Sequence, residues 1–282
     1  MEKHRKKLIK NAAVFDGHSS GLAQGKKIVI EDDIVTEITA DEVSEENFDE
    51  VFDGTGMVAM PGMTDAHVHL GCLFAKGEFP VDYATVLTVA KCKDALMAGF
   101  TTFRDAGSVS EGLKLAFDEG VLPGPRIYPC GAYISQTCGH GDSEYAHTYR
   151  DIQYRHPSST VLVDGVPEII RAVREQFYRG ASHIKLMATE ILNRHEDIRL
   201  LFGTDMMITG PDYQVEQSED IRYYEKRFGT MRALRALTGT ANEVFALTTY
   251  QNPYPKGKIG VLEAGSYADL LLVDGDPTKS VS

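Results

Sequence analysis

The chain has 282 residues, 43% apolar and 25% charged, a globular balance that excludes a collagen-like repeat, a coiled-coil rod and wholesale disorder. Lys and Arg number 29 against 41 Asp and Glu, a formal charge of −12, which argues against non-specific nucleic-acid binding because phosphate neutralisation takes clustered cations. No stretch approaches about eighteen consecutive apolar residues, so no membrane-spanning helix is predicted and no membrane partner is expected. The basic run His4–Lys7 leads into Lys10, Asn11 and Asp16 rather than into the apolar core of a signal peptide, and the expected location is cytoplasmic. Cys72, Cys92, Cys130 and Cys138 lack C-x-x-C spacing and read as buried thiols rather than a disulfide framework.

Residues 7–60 read as short strands. Lys7–Phe15 is mostly apolar and ends at Asp16-Gly17, KKIVIEDDIVTEI alternates around Asp32-Asp33, and Phe52–Met60 is interrupted by Gly54 and Gly56. Such period-two patterning between turn residues predicts β-structure. The C-terminus has the same character, with strand candidates Lys258–Leu262 and Ala268–Val273 around Glu263-Ala264-Gly265. Two or three short strands are marginal alone, so both ends are expected to pair into one β-sandwich with the middle of the chain inserted between them.

The middle alternates strand and helix. Met63–His69 reads as a strand, Val81–Met97 as a helix stopped at Gly99, Phe100–Arg104 as a strand, and Ser108-x-x-Glu111 as a capping box opening a helix that ends near Gly120. Arg126–Tyr133 is a third strand, Asp164 to Gly180 a helix, His183–Met187 a fourth strand and Leu200–Met206 a further one, followed by helical stretches at Glu225–Leu237 and Ala241–Ala246. Repeated strand–helix units predict a parallel sheet flanked by helices, a barrel or a doubly wound sheet. Ile134–Gly165, polar and aperiodic, has the length of a functional or disordered loop.

The strongest chemical signal is Asp65-Ala66-His67-Val68-His69. Residues two apart on a strand share a face, so both imidazoles point the same way, roughly 7 Å apart along the backbone, where one divalent metal can take both. Two hydrogen-bonded structural histidines are an equally available reading of H-x-H alone. Asp205, in LLFGTDM, is a ligand or proton carrier on one reading and a cap or turn carboxylate on the other. Lys185 lies in the apolar run HIKLMA, where a lysine must snorkel, pair or do chemistry. Asp105, closing FRDAG, is a second candidate carboxylate or a cap. All sit at or near the C-terminal end of a predicted parallel strand, where barrel active sites lie. Gly54-x-Gly56 precedes a β-like run instead of a helix and is no dinucleotide fingerprint. Ser135, Ser143 and Cys138 near His140 lack a nucleophile-elbow context, and His4, His18, His156 and His195 read as surface residues.

Together the blocks PGMTDAHVHL, FTTFRDAG, HIKLMA, LLFGTD and GVLEAGSYADLLLVDGDP resemble the metal-dependent amidohydrolase superfamily in family order across nearly all of the chain. ISQTCGHGD resembles the branch containing bacterial Xaa-Pro dipeptidases and imidazolonepropionase-like amidohydrolases. The resemblance implies an α/β fold, a TIM-barrel-type (β/α) catalytic domain over residues 61–250 and a discontinuous β-sandwich from 1–60 and 251–282. It implies that His67 and His69 bind the more buried metal, that Lys185 is the lysine carboxylated in two-metal members, and that Asp205 binds metal and handles the proton of the attacking water. It places His140 in the substrate pocket. The implied cofactor is one or two divalent ions, zinc first, with Mn, Fe and Co suited to the same ligands.

The sequence departs from that pattern in one place. Only 20 positions separate Lys185 from Asp205, whereas passing from a fourth to an eighth barrel strand takes on the order of 100 residues at ~30 per βαβ unit. The chain therefore reads as an amidohydrolase lacking barrel strands five to seven, and the exposed sheet edges of so incomplete a barrel favour a homo-oligomer. The leading expectation is a metal-dependent hydrolase cleaving the C–N bond of a small-molecule substrate: a dipeptide of Xaa-Pro type, an N-acyl amino acid or a cyclic amide. The alternatives are a truncated, catalytically impaired relative acting as a binding or assembly protein, and an unrelated nucleotide-binding α/β protein.

Overall fold

A computed structural model describes residues 5–70, 81–107, 109, 111–137, 139, 141–142, 160–186, 199–207 and 213–281. His140, Cys72 and Cys138 lie outside them, as do Ser108, Ser143, Met187, His4, His156 and His195.

The N-terminal region forms β1 (Lys6–Lys10), β2 (Ala13–Val14), β3 (Lys27–Glu31), β4 (Ile34–Thr39), β5 (Glu50–Asp53) and β6 (Met57–Pro61). The apolar run Lys7–Phe15 is two strands because Asn11 takes a left-handed conformation, φ 64°, which Asn tolerates better than most residues. Asp32, at φ 56°, turns the antiparallel β3–β4 hairpin. Buried Ile28 and Ile30 alternate with half-buried neighbours along β3, so one face supplies core while the other meets water.

The central region runs β7 (Met63–His69), α1 (Val81–Met97), β8 (Phe100–Asp105), α2 (Glu111–Asp118), β9 (Arg126–Tyr128), β10 (Tyr133–Ser135), β11 (Thr160–Leu162), α3 (Val166–Tyr178) and β12 (Met206–Met207). The chain then forms α4 (Tyr213–Phe228), α5 (Thr230–Leu237), α6 (Gly239–Phe245), a 3-10 turn Ala246–Gln251 and β13 (Leu270–Asp274). Strands β12, β7, β8 and β9 lie in that order in one parallel sheet. The β10–β11 pair is also parallel. Val68, Cys92, Phe100, Phe103, Ile127, Phe202 and Leu237 form the principal core cluster between sheet and helices. Among the described residues the sheet does not close into a barrel, and no helix is long and apolar enough to cross a membrane.

Several predicted elements are corrected. Arg126–Tyr133 is not one strand, because Pro129 lacks the N–H needed to continue the ladder and the segment resumes only at Tyr133. His183–Leu186 makes a single bridge, Ile134 to Leu186, with Ile134 N–H donating to Lys185 O (2.9 Å) and Ser182 N–H to Pro129 O (2.7 Å). Of Leu200–Met206 only Met206 is in regular strand, although Ala66 N–H donates to Phe202 O at 2.9 Å. Glu225–Leu237 is divided at Gly229, whose φ of 83° ends α4 and starts α5. Lys258–Leu262 is not a strand either and makes only the bridge from Lys258 to Ser266.

The two ends of the chain meet. β13 pairs antiparallel with β6 from Pro61 to Met57, and β2 pairs parallel on the other side of β6. Ile9, Val14, Ile28, Ala59 and Leu262 share one buried cluster. The C-terminal segment is further tied to β9 by a bidentate pair, Arg126 Nε to Asp269 Oδ2 (2.6 Å) and Nη2 to Oδ1 (3.2 Å), with the guanidinium 3.6 Å from the Tyr267 ring centroid. Planar bidentate pairing strengthens such a contact, and removing one partner strands the other. Arg126→Met is therefore expected to cost about 1–3 kcal/mol, less than a fully buried pair because water reaches the edge of this one. A denaturant-midpoint shift relative to the parent chain measures this, and an unchanged midpoint contradicts the assigned role.

Candidate metal and active site

The site begins with the alternation of β7. Val68 enters the core cluster, which sends its neighbours His67 and His69 to the opposite face, their ring centroids 5.6 Å apart. The segment before β12 runs alongside, with Asp205 N–H donating to His67 O at 2.7 Å. Gly203 permits this approach, since a Cβ there would stand 2.7 Å from His67 Cβ. Asp205 adopts φ 57°, a left-handed conformation that aspartate reaches more readily than branched residues.

This backbone brings Asp205 Oδ1 to 2.9 Å from His67 Nε2 and 3.3 Å from His69 Nε2. The three residues offer ligand atoms within 4.8 Å of one another. Lys185 Nζ reaches His67 Nε2 at 2.8 Å. The structure thus gathers His67, His69, Lys185 and Asp205 at the C-terminal end of β7, while His140 falls outside the described residues. His18 is exposed, and Cys92 and Cys130 are buried free thiols, as the sequence suggests.

Burial, reinforced by the Lys185 charge, pushes His67 down to about 4, so its imidazole is neutral at neutral pH, the form a metal needs. Its Nε2 then faces incompatible demands. A bare nitrogen can accept from the Lys185 ammonium but opposes the Asp205 oxygen lone pairs, whereas a protonated one suits the carboxylate and opposes the ammonium. A divalent cation among the His67, His69 and Asp205 lone pairs removes the conflict, and the donor set of two imidazoles and a carboxylate fits such an ion.

Two buried carboxylates support this arrangement. Asp65 accepts from His67 N–H (3.2 Å), Thr204 N–H (3.2 Å), Thr204 Oγ1–H (2.9 Å) and Gln217 Nε2–H (3.3 Å). Burial raises it to about 6 against the pull of these donors. Asp105 accepts from the backbone N–H groups of Leu70 (3.1 Å), Gly107 (3.2 Å) and Val109 (3.3 Å), the capping role that its sequence context allowed. The sequence reading missed His183, whose Nε2–H donates to Asp105 O at 3.1 Å. It also missed Arg104, whose Nη1–H donates to Ala66 O at 3.2 Å. A cation within a predicted strand, Arg104 in FTTFRD, was the available signal.

Comparison with known proteins follows the same lines. Residues 58–196 match the amidohydrolase family. The chain is 34% identical over 152 residues to the ochratoxinase of Aspergillus niger, a match covering 47% of this chain and 31% of that protein. The sequence match therefore spans about a third of the length of that relative. An imidazolonepropionase of Picrophilus torridus is 40% identical over 67 residues, 22% of this chain and 16% of that one. A crystal structure of a prolidase complexed with N-methylphosphonate-L-proline superposes with a TM-score of 0.82 at 22% identity, covering 98% of this chain and 94% of that one. The A. niger ochratoxinase crystal structure does so with a TM-score of 0.77 at 19% identity, covering 99% and 92%. At these identities the superpositions show the fold.

Two outcomes follow from the geometry. Gly203→Ala must displace His67 and is expected to weaken metal binding by about 10–100-fold, the range for lost ligand positioning, with secondary structure retained; metal titration followed by circular dichroism checks this, and parental affinity contradicts it. Burial raises Asp105 from 3.8 to about 7. The native state keeps this proton over a range in which the unfolded chain has released it, so the residue's contribution to stability falls as pH rises from about 4 to about 7 and is flat above. Asp105→Asn is expected to flatten the stability profile over that window, as denaturation at stepped pH would show.

Proposed function

We propose that the protein is a metal-dependent amidohydrolase that cleaves the amide or peptide bond of a small molecule: a dipeptide of Xaa-Pro type, an N-acyl amino acid or a cyclic amide. One observation carries this reading: two imidazole nitrogens and a carboxylate oxygen converge within 4.8 Å, at a point where a single His67 nitrogen meets both a carboxylate and an ammonium. His67, His69 and Asp205 would hold the ion, zinc first among the metals suited to these donors, and Lys185, once carboxylated, would lose its positive charge and add an oxygen ligand. A divalent ion in such a set polarises a scissile carbonyl and lowers the pKa of water.

The protein's own part is proton handling and positioning. The Asp205 side chain is 71% exposed, reachable by substrate, and it would take the proton from the attacking water and pass it to the departing nitrogen as the C–N bond breaks. His140, from the segment that resembles the dipeptidase branch, would line the substrate pocket. The domain division that accompanies this reading is a β-sandwich from 1–60 and 251–282 around an incomplete (β/α) barrel at 61–250. The pairing of β13 with β6 supports it, and the open parallel sheet supports assembly as a homo-oligomer.

The short interval between Lys185 and Asp205 favours a second reading, a catalytically impaired relative that keeps the cation site. One experiment separates the two: metal content per chain, then hydrolysis of Xaa-Pro dipeptides and N-acyl amino acids with added Zn²⁺ or Mn²⁺. Metal with turnover is expected. Metal without turnover on any amide selects the impaired relative, and no metal defeats both. His67→Ala is expected to lose metal and turnover together, and Asp205→Asn to fold normally with turnover reduced at least about 100-fold. Full metal content in the first variant or parental rates in the second would contradict the assigned roles.

A further inference from the structure

A cavity of about 300 Å³ lies beside the cation site, lined by Arg104, Tyr128, Ser182, His183, Phe245 and Thr248 among others. Arg104 stands opposite Tyr128 in the β8–β9 register. The Tyr128 ring stacks on Phe245 with centroids 3.8 Å apart and planes within 4°, giving the cavity a flat apolar wall. Ser182 and Thr248 add hydroxyl groups. The volume falls at the small end of ligand pockets, the size of an amino acid.

Arg104 is the chemically distinctive group in this wall. Its Nη1–H donates to the carbonyl of Ala66, the residue before His67, so the guanidinium adjoins the cation site. Among the described residues no carboxylate lies within ion-pair distance of it. The adjacent acid, Asp105, has both oxygens engaged by the backbone N–H groups of Leu70, Gly107 and Val109. The ring nitrogens of His183 face Asp105 O and Ser182 Oγ. Arg104 is half-buried; withdrawing a cation even partly from water without a counter-charge costs stability, and a guanidinium fork matches a carboxylate in bidentate geometry.

We propose that this cavity binds a carboxylate, Arg104 pairing with the free acid of an amino-acid-sized substrate whose apolar body lies against Tyr128 and Phe245. The identity of that molecule as substrate rests on the hydrolase reading above; the binding of the acid does not. The site then selects, within the amide class, dipeptides and N-acyl amino acids bearing a free carboxylate over neutral amides.

The test is calorimetric titration of metal-free protein, in buffer lacking carboxylate and phosphate, with N-acetyl-L-alanine and with N-acetyl-L-alaninamide. The acid is expected to bind at least about tenfold more tightly than the amide. Arg104→Gln is expected to erase that preference, while Arg104→Lys retains part of it. The same preference is expected in His67→Ala protein, so a failed cation site and a failed acid site are told apart. Equal affinity for acid and amide, an unchanged preference in Arg104→Gln, or its loss in His67→Ala would each overturn the proposal.

Discussion

The candidate cation site depends on the buried carboxylate of Asp65. β12 contributes only Met206 and Met207 to pairing with β7, and a two-residue strand carries little stabilisation of its own. The Gly203–Asp205 segment is held beside His67 by the backbone bond from Asp205 N–H to His67 O and by hydrogen bonds from Thr204 N–H and Oγ1–H onto Asp65, with Gln217 reaching the same carboxylate from α4. Leaving such donors unpaired in the interior would cost about 1–3 kcal/mol each. The joint therefore fixes the position of Asp205 through the residue before it, and the acid that faces the imidazoles is placed by one that does not.

That placement brings together groups that are poorly matched in the absence of a cation. His67 Nε2 has a carboxylate oxygen at 2.9 Å and an ammonium at 2.8 Å, and Asp205 accepts a left-handed backbone to get there. Left-handed backbone and an acceptor facing an acceptor both cost stability. Core packing around Val68, Phe103 and Phe202 is the source from which such costs are offset. A site strained toward one ligand geometry loses less on binding, because its groups are already ordered.

The elements legible in the sequence are those with a local period. Met63–His69 and Val81–Met97 coincide with β7 and α1 residue for residue, because strand alternation and helical spacing leave direct traces. The shared face of His67 and His69 follows from the same alternation. The contact between Asp65 and Thr204 spans 139 positions and leaves no periodic trace at all. Arg104 was equally hidden, a strand cation inside a block whose aspartate drew attention first. Gly229 falls inside the predicted helical stretch Glu225–Leu237, yet its positive φ makes it a boundary. The double strand at Arg126–Tyr133 was missed because apolar content outweighed Pro129 and Gly131.

The shortened interval after Lys185 makes the C-terminal segment unusually important. β9 has only three residues, yet it is held on several sides. Tyr254 OH accepts from Ile127 N–H at 2.7 Å and donates to Asp118 Oδ1 at 2.8 Å. Arg126 is clamped by Asp269 and covered by Tyr267, and Tyr128 is covered by Phe245. The partners that β9 meets directly, Tyr254, Asp269, Tyr267 and Phe245, follow Asp205 in the chain, so the segment after the site closes over the sheet. The Tyr128–Phe245 stack that seals β9 is also the wall of the Arg104 cavity. A change that loosened this packing would therefore be felt as lost stability and as lost shape in the cavity at once, which ties the persistence of the fold to that of the pocket.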